Sequence, residues 1–177
     1  MKTSKFAILV ALSFLSFLAG SLKAEAGSAM LKWNSNTEDD LNGYKIYYGT
    51  SSHAGTCPVG YDNSIVIADN ANAGYWFDNL TPGQNYYFQV TAIDDSGNES
   101  GCSVSPGEIS KLITYRGDIN NTPDHKVNMN DFTLLASDYG KSSFCGTATT
   151  NKADINRDCV VNMNDFTILA AEYGESF

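Results

Sequence analysis

Histidines and basic residues are scarce in this chain of 177 residues. Only 2 histidines occur, and 11 lysines and arginines stand against 20 acidic residues, so the formal net charge is −9. Neither His53 nor His125 lies near a nucleophile signature, and no pair of carboxylates stands out from the acidic background. We therefore expect no catalytic residues and no enzyme activity. The negative charge repels nucleic acid and favours cations as ligands.

Long apolar runs are lacking after the N-terminus. Residues 1–26 combine Lys2 and Lys5 with an apolar run over Phe6–Ala19 and a small-residue cleavage site at Ala24–Ala26, which predicts an export signal peptide. The run is too short for a transmembrane helix, so we expect a secreted protein without a membrane span. Cleavage would remove three lysines and one glutamate and leave 8 basic and 19 acidic residues, a net charge of −11.

Cysteine is limited to four positions, which are Cys57, Cys102, Cys145 and Cys159. An exported chain enters an oxidising compartment, where an even number of cysteines favours disulfide bonds. We therefore expect two disulfides.

The first half of the mature chain alternates apolar and polar residues with a period of two. The alternation runs through Ala29–Trp33, Tyr44–Tyr48 and Tyr86–Ala92, and it is typical of half-buried β-strands. Turn-forming residues separate these stretches, as at Asn42-Gly43 and over Asp94–Asn98. Several short strands at this spacing predict an antiparallel β-sandwich.

Residues in this half also resemble a known family. The resemblance rests on Trp33, Gly43-Tyr44-x-Ile46-Tyr47-Tyr48-Gly49, Leu80-x-Pro82-Gly83-x-x-Tyr86-x-Phe88-x-Val90-x-Ala92 and Gly97-Asn98-Glu99-Ser100. These motifs are similar to those of bacterial fibronectin type III domains, which implies a β-sandwich over residues 27–114 with a tyrosine corner at Tyr86. The chain departs from the family in a short or missing first strand and in an insertion over His53–Asp62 that carries Cys57.

A stretch of fourteen residues occurs twice in the second half. Val127–Gly140 recurs as Val161–Gly174, 34 residues later, with 11 of 14 positions identical, which indicates an internal duplication. In each copy the apolar residues are spaced as on one face of a short helix that ends at a glycine. These residues are Phe132, Leu135, Ala136 and Tyr139, and then Phe166, Leu169, Ala170 and Tyr173. We expect the two helices to bury this face against each other or against the sandwich.

Oxygen-bearing side chains precede the second helix at the spacing of an EF-hand calcium loop. Loop positions 1, 3, 5, 9 and 12 carry such side chains, and position 7 would use its backbone carbonyl. The predicted ligands are Asp154, Asn156, Asp158, Val160, Asn162 and Asp165. Calcium takes about six to eight oxygen ligands, which a loop of this length can wrap around one point. The alternative is an acidic, asparagine-rich turn that binds no metal.

The first copy has the same loop with two additional residues between Asn120 and Asp124. Its predicted ligands are Asp118, Asn120, Asp124, Lys126 through the carbonyl, Asn128 and Asp131. The inserted segment, Asn121–Pro123, either weakens the site or supplies a further oxygen. Position 6 is normally glycine, but it is His125 here and Cys159 in the second loop, so we expect both residues at positive φ.

The paired loop and helix motifs resemble the type I dockerin domain. The motifs are Gly-Asp-Ile-Asn…Val-Asn-x-x-Asp-Phe from Gly117 and Ala-Asp-Ile-Asn-x-Asp-x-x-Val-Asn-x-x-Asp-Phe from Ala153. The resemblance implies a module over residues 115–177 that binds two Ca²⁺ ions and docks onto a cohesin module in assemblies that degrade polysaccharides. The chain departs from the family in two respects. Met-Asn follows the predicted ligand asparagine of each loop, at the positions where residues that contact cohesin would stand. The pair of cysteines is also unusual for the family.

One disulfide is expected in each module. A bond between Cys145 and Cys159 would hold Cys159 at positive φ, and Cys57 and Cys102 then pair by elimination. In the sandwich fold these last two positions lie at opposite edges of one sheet, so the insertion must fold back over that sheet.

Tyr47 and Tyr87 are expected to point outward on paired strands. They would form an exposed aromatic platform for a sugar ring or an ordinary cross-strand pair. The sequence thus predicts a mainly β protein with a small α module, and the family resemblance implies a secreted, calcium-binding tethering protein that acts through protein–protein interaction. The alternatives are a structural or adhesive extracellular protein and a glycan-binding protein.

Overall fold

The computed structural model describes residues 27–68, 73–104, 107–120, 124–142 and 151–177. The predicted export signal, Cys145 and the inserted residues 121–123 lie outside these ranges. Within them, neither helix has the length and apolar character needed to cross a membrane.

The first half of the described chain forms six β-strands. They are β1 (Gly27–Lys32), β2 (Leu41–Gly49), β3 (Asn63–Ile67), β4 (Gly74–Leu80), β5 (Asn85–Asp94) and β6 (Ile109–Leu112). A sheet of β1 and β4 faces a second sheet with the strand order β3-β2-β5-β6, and all the pairings are antiparallel. The predicted antiparallel sandwich is confirmed.

One hydrophobic core fills the space between the two sheets. Leu31 and Phe77 contribute from the two-stranded sheet, and Tyr44 and Phe88 contribute from the four-stranded sheet. Core residues alternate with exposed ones because successive side chains of a strand point to opposite faces. In β4, for example, Phe77 is buried while Trp76 beside it points outward.

The turn between β4 and β5 is held by Tyr86. The backbone N–H of Thr81 donates a hydrogen bond to the Tyr86 hydroxyl at 3.4 Å, which is the contact expected of a tyrosine corner. Gly83 in the same turn has a φ of 76°, a conformation that glycine adopts without steric cost.

The inserted segment folds back over the outer face of the four-stranded sheet and is anchored on Glu108. The Glu108 carboxylate accepts hydrogen bonds from the Ser52 hydroxyl at 2.6 Å, the His53 N–H at 2.7 Å and the Tyr61 hydroxyl. Burial acts to raise the pKa of Glu108, but these hydrogen bonds outweigh it and hold the pKa below its ordinary value.

The predicted disulfide between Cys57 and Cys102 is confirmed, with a Cα–Cα distance of 6.2 Å. β3 and β6 lie at opposite edges of the four-stranded sheet, as the sequence suggested. The folded-back insertion is what brings Cys57 across that sheet to Cys102.

The predicted exposure of Tyr47 is wrong. Only 8% of Tyr47 is accessible, because its ring lies 6.1 Å from that of Tyr61 in the folded-back insertion and its hydroxyl donates to Glu99 at 2.6 Å. Tyr47 also lies opposite Gln89 rather than Tyr87. The two tyrosines therefore form neither an exposed platform nor a direct cross-strand pair.

Two short helices follow the sandwich, α1 (Met129–Asp138) and α2 (Met163–Glu172). Asn128 and Asn162 cap their N-termini, and an aspartate three residues further on completes a capping box in each. Two residues beyond each helix a glycine has a φ of 82° or 92°, which terminates the helix as predicted.

Only one residue of each predicted four-residue apolar face is buried. Leu135 and Leu169 are 1% exposed and the partly buried Phe166 packs against their core, whereas the other residues of the two faces are exposed, so the prediction was wrong for those residues. Helices of ten residues offer little surface, and apolar residues of the loops cover it instead. The remaining members of this core are Tyr115, Ile119, Val127, Ala153, Ile155 and Val161. The helices touch each other through Phe132 and Phe166, whose rings meet edge to face at 5.9 Å.

Backbone hydrogen bonds interlock the two copies. The N–H of Gly174 donates to the Val127 carbonyl, and the N–H of Gly140 donates to the Val161 carbonyl, both at 2.8 Å. The N–H of each valine donates at 3.0 Å to the residue that follows that glycine. Each loop therefore pairs with the segment that follows the helix of the other copy.

Candidate metal centre

Three carboxylates of the second loop converge on one point. One oxygen from each of Asp154, Asp158 and Asp165 lies within 4.8 Å of the others. Asp154 and Asp165 are buried, while Asp158 is exposed. Three like charges at this separation repel one another, so the cluster is suited to binding a cation.

The last predicted ligand of each loop also fixes the loop backbone. Asp165 is fully buried; its Oδ1 accepts the N–H of Asn156 at 3.0 Å, and its Oδ2 accepts the N–H of Asn162 at 2.9 Å. Asp131 occupies the same place in the first copy. Its donors are the N–H groups of Ile119, Asn120 and Asn128, at 2.9 to 3.0 Å.

The other predicted ligands of the second loop line the same turn. Asp158 Oδ2 accepts hydrogen bonds from the side-chain amides of Asn156 at 2.8 Å and Asn162 at 3.4 Å. The Val160 carbonyl accepts a hydrogen bond from the Asn162 amide at 3.0 Å. Hydrogen bonds from Asn156 and from the Val160 N–H lower the pKa of the Asp158 carboxyl, which keeps it charged.

The first loop contains a buried acceptor that has no donor. Asp118 Oδ1 is buried and accepts no hydrogen bond from the described residues. Burial, followed by the charges of Asp131 and Asp124, raises the pKa of Asp118 to about 6. Among the described residues, these three carboxylates do not form a cluster as tight as that of the second loop.

The remaining predicted ligands of the first loop lie around the same turn. The Asn128 amide donates to Asp124 Oδ2 at 3.1 Å, which repeats the contact between Asn162 and Asp158. Lys126 forms an isolated β-bridge with Ser176, so the C-terminal residues run beside this loop.

Position 6 of each loop has the predicted left-handed backbone. The φ angles are 48° at His125 and 78° at Cys159, and the N–H of Cys159 donates to Asp154 Oδ2 at 3.1 Å. Cys159 is disulfide-bonded, and its predicted partner Cys145 lies outside the described residues.

The chemistry of these donors fits calcium. The predicted ligands are carboxylate, amide and carbonyl oxygens, which are the hard ligands that calcium prefers. The converging carboxylates of the second loop and the buried, unpaired oxygen of Asp118 are what a bound cation would satisfy.

The sequence did not predict that the second loop contacts the sandwich. The guanidinium carbon of Arg157, at loop position 4, lies 4.2 Å from the centre of the Trp76 ring, and the same group forms an ion pair with Asp78. Arg157 and Asp78 are 79 residues apart. No local pattern signals a contact over that distance.

Comparison with known proteins separates the β-sandwich from the loop–helix module, as the structure does. A family model described as "Fibronectin type III domain" matches residues 20–105, and one described as "Dockerin type I domain" matches residues 116–172. No curated protein matches the chain.

Several solved structures are similar to parts of the chain. "Type II cohesin-dockerin domain from Bacteroides cellolosolvens" is 33% identical and covers 37% of this chain and 95% of that chain, with a TM-score of 0.31. "Myokine structure" is 19% identical and covers 49% of this chain and 82% of that chain, with a TM-score of 0.37. A mutant type II cohesin–X-dockerin complex from Acetivibrio cellulolyticus is 17% identical and covers 85% of this chain and 96% of that chain, with a TM-score of 0.29.

Proposed function

Because the chain contains a fibronectin type III domain followed by a type I dockerin domain, we propose that it is an exported protein that tethers itself to an extracellular partner. Both domains are non-catalytic modules, and the proposed role includes no enzymatic activity. The dockerin domain would bind two Ca²⁺ ions and present the partner-binding surface. A cohesin-like module is the proposed partner, and polysaccharide breakdown is the proposed setting, since both are implied by the dockerin family.

The convergence of carboxylates in the second loop is the observation that carries this proposal. Asp154, Asp158 and Asp165 bring three negative charges within 4.8 Å, and they are arranged by a loop whose ligand pattern recurs in the first copy with two additional residues. Bound calcium would neutralise this repulsion and tie each loop to the start of its helix. The proposed ligands are the six residues predicted for each loop.

Two exposed methionines support a partner-binding surface on the helices. Met129 and Met163 are the first residues of α1 and α2, and each is 58% exposed. Methionine side chains are flexible and polarisable, so they suit contacts with a protein partner. Each is followed by an asparagine that offers an amide. The two helix starts therefore present the same chemistry.

Calcium binding is tested by calorimetric titration of the full chain after treatment with a chelator, with circular dichroism recorded in parallel. We expect two binding events accompanied by a gain of helix. Asp158→Asn should remove the second-loop event, and Asp124→Asn, at the same loop position, should remove the other. A parent chain that binds no calcium would overturn this part of the proposal, and a single event lost in Asp158→Asn would restrict it to the second loop.

Partner binding is tested with immobilised cohesin modules, in calcium and in chelator. We expect calcium-dependent binding that is lost when Met129→Asp and Met163→Asp are combined. Val66→Asp, on β3 and 60% exposed, is the matched control and should bind as the parent does. If the chain binds calcium but no cohesin, the metal serves only to stabilise the C-terminal domain, and the structural or adhesive alternative replaces tethering.

Export and setting need separate tests. The protein recovered from the medium should begin at Gly27, and retention of residues 1–26 would contradict the proposed signal peptide. Genes for cohesin-bearing scaffolds or glycosidases beside the gene for this chain would support a role in polysaccharide breakdown. Their absence would favour the structural alternative.

A further inference from the structure

The Arg157 side chain connects the second calcium loop to the fibronectin domain. Arg157 places its guanidinium carbon 4.2 Å from the centre of the Trp76 ring, within the range of a cation–π contact. The same guanidinium forms an ion pair with Asp78, two residues further along β4. Trp76 and Asp78 lie on the outward face of the strand, so these contacts use a surface that the sandwich core does not need.

The position of Arg157 is set by the same turn that arranges the proposed ligands. It lies between Asn156 and Asp158, which are joined by hydrogen bonds of 2.8 Å and 3.0 Å. Its φ of 64° is left-handed, a conformation that costs an arginine energy and persists only when the surroundings hold it. A change in the shape of this turn would therefore move the guanidinium away from Trp76.

The first loop has its own contact with the fibronectin domain. The His125 ring stacks on Phe177 at 5.0 Å between centroids, and Phe177 lies against Gly83 in the β4–β5 turn. A Cβ atom at Gly83 would stand 3.1 Å from Cγ of Phe177. Both loops thus reach β4 or the turn that follows it.

We propose that Trp76 and Asp78 are positioning residues for the second calcium loop, so that the fibronectin domain strengthens calcium binding by the dockerin domain through Arg157. The inference rests on the proposed calcium binding. Coupling between two sites is reciprocal, so calcium in turn strengthens the contact between the two domains. The fibronectin domain is then a part of the metal site's support rather than an independent spacer.

The test is a calcium titration of the full chain in four forms: the parent, Trp76→Ala, Arg157→Ala and the double variant. Trp76→Ala should weaken calcium binding at the second loop about 3- to 10-fold, in line with the strength of cation–π contacts. The first-loop event should not change. In the Arg157→Ala background the Trp76 substitution should have no further effect, because both act through the same contact. Val66→Ala on the exposed face of β3 is the control and should leave both events unchanged.

A second readout separates this coupling from a general loss of stability. Amide hydrogen exchange of β4 should slow when calcium is added to the parent and to Val66→Ala, but not when it is added to Arg157→Ala. If Trp76→Ala and Arg157→Ala bind calcium as tightly as the parent, the coupling is refuted while the calcium proposal stands. If Trp76→Ala weakens calcium binding by the same factor in the parent and in the Arg157→Ala background, Trp76 does not act through Arg157 and the inference is also refuted. A parent chain that binds no calcium at all overturns both proposals.

Discussion

Removal of the Asp165 carboxylate tests whether the second loop is held by its own hydrogen bonds in the absence of metal. Asp165 is 0% exposed and accepts two backbone N–H groups, from Asn156 and Asn162. In Asp165→Ala both N–H groups lose their acceptor, at a cost of about 1–3 kcal/mol each when water cannot replace it. The second bond is half of the capping box of α2, whose loss typically costs about 1 kcal/mol. The first bond at about 1–3 kcal/mol and the capping bond at about 1 kcal/mol together predict a loss of about 2–4 kcal/mol in the free energy of unfolding of the dockerin domain.

A matched control is needed because Asp165→Ala also relieves repulsion within the carboxylate cluster. Asp158→Ala removes a negative charge from the same cluster, but Asp158 is exposed and water can replace its hydrogen bonds. Both variants lose one proposed ligand of the second loop, and both lose the same kind of repulsion. The difference in stability between them therefore reports the buried hydrogen bonds of Asp165.

The assay is denaturant unfolding of the full chain in chelator, followed by far-ultraviolet circular dichroism. In the described part of the chain only the dockerin domain contains α-helices, so the helical signal reports on that domain. Asp131→Ala should lower the free energy of unfolding at least as much as Asp165→Ala does, since Asp131 accepts hydrogen bonds from three backbone N–H groups. Equal unfolding midpoints for Asp165→Ala and Asp158→Ala would refute the reasoning.

Two further predictions concern the inserted segment of the fibronectin domain. Replacing Cys57 and Cys102 with serine opens a bridge across a separation of 45 residues, which should destabilise the domain by up to about 4 kcal/mol in the chain-entropy model; an unchanged denaturation midpoint without reductant would contradict this. Glu108→Gln should destabilise the domain by less than about 1 kcal/mol at about pH 7, since the site is partly solvated. The folded-state pKa of Glu108 lies below its ordinary value of 4.5, so its contribution is complete above that value and is lost as the pH falls through the folded-state pKa. The stability difference between parent and variant should therefore shrink in acid, and a difference that grows there would count against the anchor.

Features set by neighbouring residues could be predicted from the sequence. The β-strands follow from local alternation, and the left-handed backbone at His125 and Cys159 follows from their place in a twelve-residue loop pattern. The helix ends follow from a capping asparagine and a terminal glycine in each copy. In all these cases the deciding residues lie within a few positions of one another.

Apart from the disulfide between Cys57 and Cys102 and the fold-back that it requires, features that depend on distant contacts could not be predicted. Tyr47 is outward-facing by its position in β2, and it is buried by Tyr61 of the folded-back insertion, which is anchored on Glu108, and by its hydrogen bond to Glu99. The anchor joins Tyr61 to a residue 47 positions later. The apolar face of each helix was overestimated for a related reason: periodicity describes one helix, whereas this core is shared with residues from both loops. In the candidate metal site, the spacing of the predicted ligands is local, but the contact between Arg157 and Trp76 is not.

The crossed pairing of the two loop–helix copies means that neither copy is a complete structural unit. In the described residues, Val127 and Val161 each pair through the backbone with the segment behind the helix of the other copy, and the two helices share one core with apolar residues of both loops. One copy alone would leave a backbone edge and a leucine exposed, and a second molecule of the same copy offers the matching groups for both. The duplication therefore supplies within one chain the backbone partners and the apolar cover that each copy lacks by itself.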